Sequence, residues 1–151
     1  MTELRPAEPL DPAASLTGPA GTLARAPGVV LPDSAVADLA AGRVVPVVVT
    51  ALLELARKYE LSVCVFRSGH PEQVFGTGRT SNHTRGRAVD VWAVDGKPVV
   101  TMDRVTVGEF LAAARATGAD EVGGPIDPDG PGGVHFTDQV HHDHVHIGFS
   151  P

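Results

Sequence analysis

Two short segments of this chain concentrate side chains that ligate metals and move protons. Ser81-Asn82-His83-Thr84-Arg85-Gly86-Arg87-Ala88-Val89-Asp90 offers an imidazole and a carboxylate, and His141-His142-Asp143-His144-Val145-His146 offers four imidazoles and a further carboxylate. Nitrogen and oxygen donors gathered from separate segments suit a tetrahedral Zn²⁺ shell closed by folding, and a catalytic shell keeps its fourth position for water. Two imidazoles and one carboxylate, with more histidines close by to carry protons, would make a metallohydrolase centre. Asp90 lies inside the apolar run Ala88-Val89-Asp90-Val91-Trp92, where an unpaired carboxylate is expensive to bury. The bland alternative has Asp90 capping a turn and the histidines at the surface.

The elements that must position these groups are legible in outline. Residues 1–32 are rich in Pro, Ala and Gly without a hydrophobic period, and read as a poorly ordered tail or an extended strap, dispensable for folding. Asp33 or Ser34 can cap a short helix through Ala41, stopped by Gly42. Pro46 suits the first turn of a longer helix from Val47 to Tyr59, with Val48, Leu52, Leu55 and Tyr59 on one face. Leu61–Arg67 reads as a strand, residues 68–82 as a Gly-rich loop, and Arg87–Val94 as a second strand ended by an Asp95-Gly96 hairpin turn. Thr106-Val107-Gly108-Glu109 forms a capping box for a helix through Ala116, with Gly118 at its stop. Short strands are expected at Glu121–Gly124, Gly133–Phe136 and His144–Phe149, around a turn-rich loop.

Strand parity adds an argument of its own. Side chains alternate between faces. Asp90 therefore opposes Val89 and Val91, and His144 and His146 oppose Val145 and Ile147. Each strand has an apolar face for helices and a face for ligands. Pairing the two antiparallel would set Asp90 beside His146.

A length of 151 residues, with 42% hydrophobic and 20% charged residues, suits one globular domain with a real core. The net charge of −6 and the lack of a basic stripe argue against a nucleic-acid partner. Arg79, Arg85 and Arg87 do cluster beside the first motif, either as a solvated loop or as a site for substrate carboxylates. Cys64, the single cysteine, sits in an apolar run and reads as a buried, inert thiol. No basic-then-apolar secretory leader is visible, and no apolar run is long enough to span a bilayer. Asp127-Pro128-Asp129-Gly130 lacks the spacing of a calcium loop and reads as a turn.

The pattern Ser81-x-His83-x-x-Gly86-x-Ala88-x-Asp90, followed by His144-x-His146, resembles the zinc peptidases that cleave D-amino-acid-containing peptides of bacterial cell walls. That group includes D-Ala-D-Ala carboxypeptidases, dipeptidases and murein endopeptidases, and it shares its fold with the hedgehog signalling domain. The likeness covers roughly the last two thirds of the chain. It implies an α+β fold: a central, mainly antiparallel sheet with helices on one face and the zinc site on the other, over residues 33–151. It implies one Zn²⁺ per chain, held by His83, Asp90 and His146. The activity implied is hydrolysis of an amide in a peptidoglycan stem peptide or cross-link. The His141-x-x-His144-x-His146 spacing matches the endopeptidase branch, with a D-Ala-D-Ala carboxypeptidase close behind and a non-catalytic zinc-containing binding module as the rival of another class. A cell-wall substrate without a leader would call for release by lysis, delivery by a phage or injection apparatus with the N-terminal tail as attachment, or non-classical export.

The remaining roles stay divided. His144 shares a strand face with His146 and is the first choice of general base, with His141 and Asp143 orienting it or sharing the role. Some branches of the family place an acidic base where Asp143 stands. Related peptidases also use an arginine in the region of Arg67 to stabilise the oxyanion and anchor substrate, as a permanent, forked cation can. The sequence Ser68-Gly69-His70-Pro71 departs from the aromatic-plus-Arg that often follows Ser-Gly there, which bears on substrate preference. Thr137 and Asp138 are expected to orient the histidine cluster, and His135 and His142 are given no role.

Overall fold

The computed structural model describes residues 11–151. They form an α+β domain with a seven-stranded mixed sheet in the order β1-β2-β3-β7-β5-β6, with β4 added beside β3. The strands are β1 (Val29–Val30), β2 (Leu61–Val65), β3 (Ala88–Val94), β4 (Lys97–Pro98), β5 (Glu121–Gly123), β6 (His135–Phe136) and β7 (Val145–Gly148). The pairs in the middle of the sheet are antiparallel, whereas β1–β2 and β5–β6 at its two margins are parallel. The sheet is thus mainly antiparallel, as expected, and mixed through these two parallel pairs.

Four helices accompany the sheet: α1 (Gly18–Ala24), α2 (Asp33–Ala40), α3 (Pro46–Leu55) and α4 (Arg104–Ala116). Each gives apolar residues to one core: Leu23 from α1, Leu39 from α2, Leu52 and Leu55 from α3, Phe110 and Leu111 from α4. The same core takes Val89 and Val91 of β3 and Val145 and Ile147 of β7, the apolar parity of both strands. No helix among the described residues is long and apolar enough to cross a membrane.

Local chemistry explains the boundaries. At the β3–β4 hairpin Asp95 (φ 52°) and Gly96 (φ 73°) both take positive φ, as a tight primed turn demands. α3 opens on Pro46, as expected, but ends at Leu55, four residues before Tyr59, whose ring instead meets Phe110 edge-on at 5.1 Å. α4 starts earlier than its capping box suggested. Asp103 is the cap and accepts from the Thr106 amide at 2.9 Å, while the Thr106 hydroxyl donates back to its carboxylate at 2.7 Å. A carboxylate at the cap serves the free amides of the first turn.

Two expectations need correcting. Residues 11–30 are not a loose tail; of the two expected alternatives they follow the strap packed against the domain, with helical turns in it. Pro and Gly here start α1 and punctuate turns, leaving Leu23 fully buried and β1 paired with β2 through Val29↔Leu61. The first ten residues of the expected tail lie outside the described residues. Cys64 is exposed, not buried, because β2 alternates and its apolar neighbours Val63 and Phe66 take the core positions. Burial of part of its surface, with the charges of Asp90 and Asp143, pushes its thiol pKa up, which disfavours the thiolate.

Candidate metal centre

The chain leaves β2 in a turn held from below. Asp38 of α2, fully buried, accepts the Arg67 and Ser68 amides at 3.0 and 2.8 Å and the Ser68 hydroxyl at 2.5 Å. Burial acts to raise this carboxyl's pKa, but these hydrogen bonds outweigh it and hold the pKa below its ordinary value. The loop beyond returns at Ser81, whose hydroxyl accepts the His83 amide at 3.2 Å. Gly86 closes the turn at φ 68°; a Cβ there would lie 1.9 Å from the Arg43 carbonyl oxygen. That contact gives the motif glycine a steric reason, since the α2–α3 connection crosses over it and the Val45 amide donates to its carbonyl at 3.0 Å. His83 is thereby presented on a rigid turn, one face of its ring covered.

Asp90 and His146 arrive on neighbouring strands and are direct partners in the β3–β7 register. His83 Nε2 lies 3.1 Å from Asp90 Oδ1 and 3.1 Å from His146 Nδ1, and His146 Nδ1 lies 3.0 Å from Asp90 Oδ1. All three residues are buried. A tetrahedral shell with bonds of 2.0–2.1 Å sets ligand atoms roughly 3.3 Å apart, so this triangle is close to the required size. The far ring nitrogens are engaged: His83 Nδ1 faces the Phe66 carbonyl, and His146 Nε2 meets Glu121 Oε1 at 2.7 Å. Those partners make both inward nitrogens acceptors, and a carboxylate oxygen is the third. Three buried acceptors meeting at one point call for a cation. In the metal-free protein a proton serves. Burial pushes the His146 imidazolium down, but hydrogen bonds to Asp90 and Glu121 outweigh it and raise its pKa to about 9. Asp90 is likewise penalised by burial, yet His146 and His83 hold it far below the carboxylate range. A divalent ion satisfies the same geometry, so the donor set fits a metal.

His70 extends the group. Its ring stacks on His83 with centroids 3.9 Å apart, and ligand atoms of His70, His83 and Asp90 lie within 4.8 Å of one another. Its Nδ1 faces the Pro71 carbonyl at 2.8 Å, which leaves Nε2 free. His146 is not in this looser group, so His70 adjoins the His83–Asp90 side of the triangle. Compared with family models, curated proteins and solved structures, the chain gives no significant match.

The remaining histidines sort by their partners. His144 Nδ1 meets Asp143 Oδ1 at 2.9 Å, and its Nε2 points toward the centre, 3.7 Å from Asp90 Oδ2. The hydrogen bond to His144 holds the Asp143 pKa low, so this carboxylate orients the ring. His141 Nδ1 meets Asp138 Oδ1 at 2.7 Å, and its ring centroid is 4.9 Å from that of His144 and 5.7 Å from that of His146. Burial lowers the His141 pKa against the pull of Asp138. His142 is exposed and bound to the Gln139 carbonyl; His135 is buried apart from the trio.

A cleft of about 740 Å³ opens over the centre, a size suited to a small ligand or peptide segment. One wall is the loop 73–80, pinned by a Gln73↔Thr80 bridge and carrying Phe75 and Arg79; the other carries Gln139, Val140 and His141. His83, Asp90, His144 and His146 also line it.

Arg67 does not reach this cleft. β2 ends at Val65, the turn is clamped onto Asp38 through the backbone, and the Arg67 side chain is exposed with no ion pair among the described residues. Thr137 is exposed and holds no imidazole, whereas Asp138 does hold His141, as expected. Glu121 and His70 line the cleft without having been given a role by the motifs, and of the three arginines expected beside the first motif Arg79 is the one that lines it. Glu121 sits in a three-residue strand with no spacing pattern to flag it, and His70 stood out only as a departure from the pattern of the peptidases the motif resembles.

Proposed function

We propose that this protein is a zinc peptidase that hydrolyses amide bonds in peptidoglycan stem peptides or cross-links, with the endopeptidase reading first and a D-Ala-D-Ala carboxypeptidase next. The observation that carries the reading is the triangle of His83 Nε2, Asp90 Oδ1 and His146 Nδ1, 3.0–3.1 Å on a side, in the lining of a peptide-sized cleft. The hedgehog/D,D-peptidase-like arrangement accompanies this reading, supported by the ligand-bearing β3–β7 pair and the helices on its apolar parity.

His83, Asp90 and His146 would hold the zinc. When bound, the ion supplies Lewis acidity to the attacking water and the amide carbonyl. His144 Nε2 is the group placed to accept the water's proton and return it to the leaving amine. Asp143 keeps the His144 Nδ1–H directed away from the centre, so that Nε2 stays free. His141, held by Asp138, closes the wall beside His144 and limits water on that side. With Arg67 outside the cleft, the chain's own contribution to oxyanion stabilisation would fall to the imidazole wall.

His70 favours one rival. If its Nε2 filled the fourth position, the site would be closed, as structural zinc sites are, and the domain would be a binding module. Incubating the zinc-loaded protein with purified muropeptides, followed by mass spectrometry, tests the peptidase reading. New fragments that vanish in His144→Ala support it. Intact muropeptides, together with a cobalt-substituted spectrum of four protein ligands, would favour the binding module.

A further inference from the structure

The cleft is lined by four carboxylates, Asp90, Asp120, Glu121 and Asp138. Among the described residues that line it, Arg79 is the one permanent cation. The other arginines near the motif are elsewhere: Arg85 is exposed and outside the lining, and Arg87 gives its guanidinium to the Phe149 and Ser150 carbonyls at 2.8 and 3.0 Å. Arg79 is carried on the pinned loop, where its carbonyl accepts the Val74 amide at 2.8 Å. Among the described residues its one ionic contact is Nη1 to Glu121 Oε2 at 3.7 Å, and its side chain is 65% exposed. A long, wet pair of this kind contributes little to stability, so stability does not account for the residue. A guanidinium can keep that contact on one edge and offer its other N–H groups to a second carboxylate. Glu121 in turn holds the ligand His146, which puts the free edge of Arg79 two contacts from the metal position.

We propose that Arg79 is the carboxylate anchor of this cleft, selecting peptides that carry a free carboxylate close to the scissile amide. The inference rests on the peptidase reading for the word scissile, but the anchor itself is a binding site. A substrate carboxylate has two sources: the C-terminus of the peptide, or the α-carboxylate of a γ-linked glutamyl residue inside it. Arg79 is a specificity residue here, with no part in the bond-breaking step.

The test is calorimetric binding by the zinc-loaded chain in a His144→Ala background, so that peptides persist. One arm compares diacetyl-L-Lys-D-Ala-D-Ala with its C-terminal amide. The other compares C-terminally amidated N-acetyl-L-Ala-γ-D-Glu-L-Lys with its D-isoglutaminyl counterpart. In at least one arm the carboxylate form should bind at least about tenfold tighter, as a charge-assisted pair warrants. Adding Arg79→Gln should remove that preference while zinc content stays unchanged, and Arg79→Lys should restore part of it. The arm that discriminates names the source. Equal weakening of both forms by Arg79→Gln, with loss of zinc, would mean that Arg79 acts only through Glu121 and would overturn the proposal. So would the absence of discrimination or of any binding. Selective binding by a protein that cleaves no muropeptide would instead sink the peptidase reading and leave the anchor standing.

Discussion

Asp90 and His146 face each other directly across the β3–β7 pair, and Asp90 Oδ1 lies 3.0 Å from His146 Nδ1 although the residues are 56 positions apart. Both belong to the parity that the core does not use. The sheet register itself therefore builds two thirds of the candidate ligand set, and the His83 turn supplies the rest.

Loss of any vertex should release the metal. His83→Ala, Asp90→Ala and His146→Ala are each expected to strip zinc on dialysis, measured as metal per chain. Glu121→Gln should weaken zinc by about 10–100-fold, because it orients His146 through Nε2 without touching the metal position. Full zinc retention in the three vertex variants would end the assignment.

His144→Ala should keep zinc and lose about 10²–10⁴-fold in turnover on whichever muropeptide is cleaved. Asp143→Ala should cost less, since that carboxylate orients His144 and is exposed to water. If the order of the two losses is reversed, Asp143 is the base.

The metal-free protein and its zinc complex should respond to pH in opposite directions. His146 is raised to about 9 when folded. An unfolded histidine titrates near 6.5. Its contribution to metal-free stability is therefore complete below about pH 6.5 and is lost as pH climbs through 9. Zinc must displace that proton, so its apparent affinity should rise about tenfold per pH unit below 9, with about one proton released per ion at pH 7. Denaturant titrations with and without zinc, and calorimetry in buffers of different ionisation enthalpy, measure both. Zinc uptake without proton release would contradict the charge state given to His146.

The N-terminal segment should prove structural. Leu23 is fully buried within the core shared by α1 and α3. Leu23→Ala is expected to destabilise by about 2–5 kcal/mol, and deletion through residue 30 by more, since β1 is lost with it. Unchanged thermal melts for either would return this segment to the status of a dispensable tail.

The candidate ligands were legible because motif and parity agree. Val89, Val91, Val145 and Ile147 fix which face is core, and Asp90 and His146 follow on the other. What escaped had no local signature. Leu23 carries no period long enough to mark a helix, and Pro and Gly around it resemble a linker. Glu121 matters only through the fold that brings it to His146 and to Arg79, the latter 3.7 Å away. Arg67 was misplaced because its position follows from a clamp on Asp38, a residue in a different helix that no motif connects to it.

The place of β7 between β3 and β5 bears on how the chain reaches this state. A strand late in sequence must dock on two edges already formed by earlier segments. Contacts over such separations close large loops and slow the search. An ion held by His83, Asp90 and His146 would not seed this domain as it does a small finger, since those groups meet only once β3 and β7 have paired. It would arrive as a bolt on a finished door. Zinc should therefore leave the folding rate nearly unchanged and act on the unfolding rate, lengthening the lifetime of the native state.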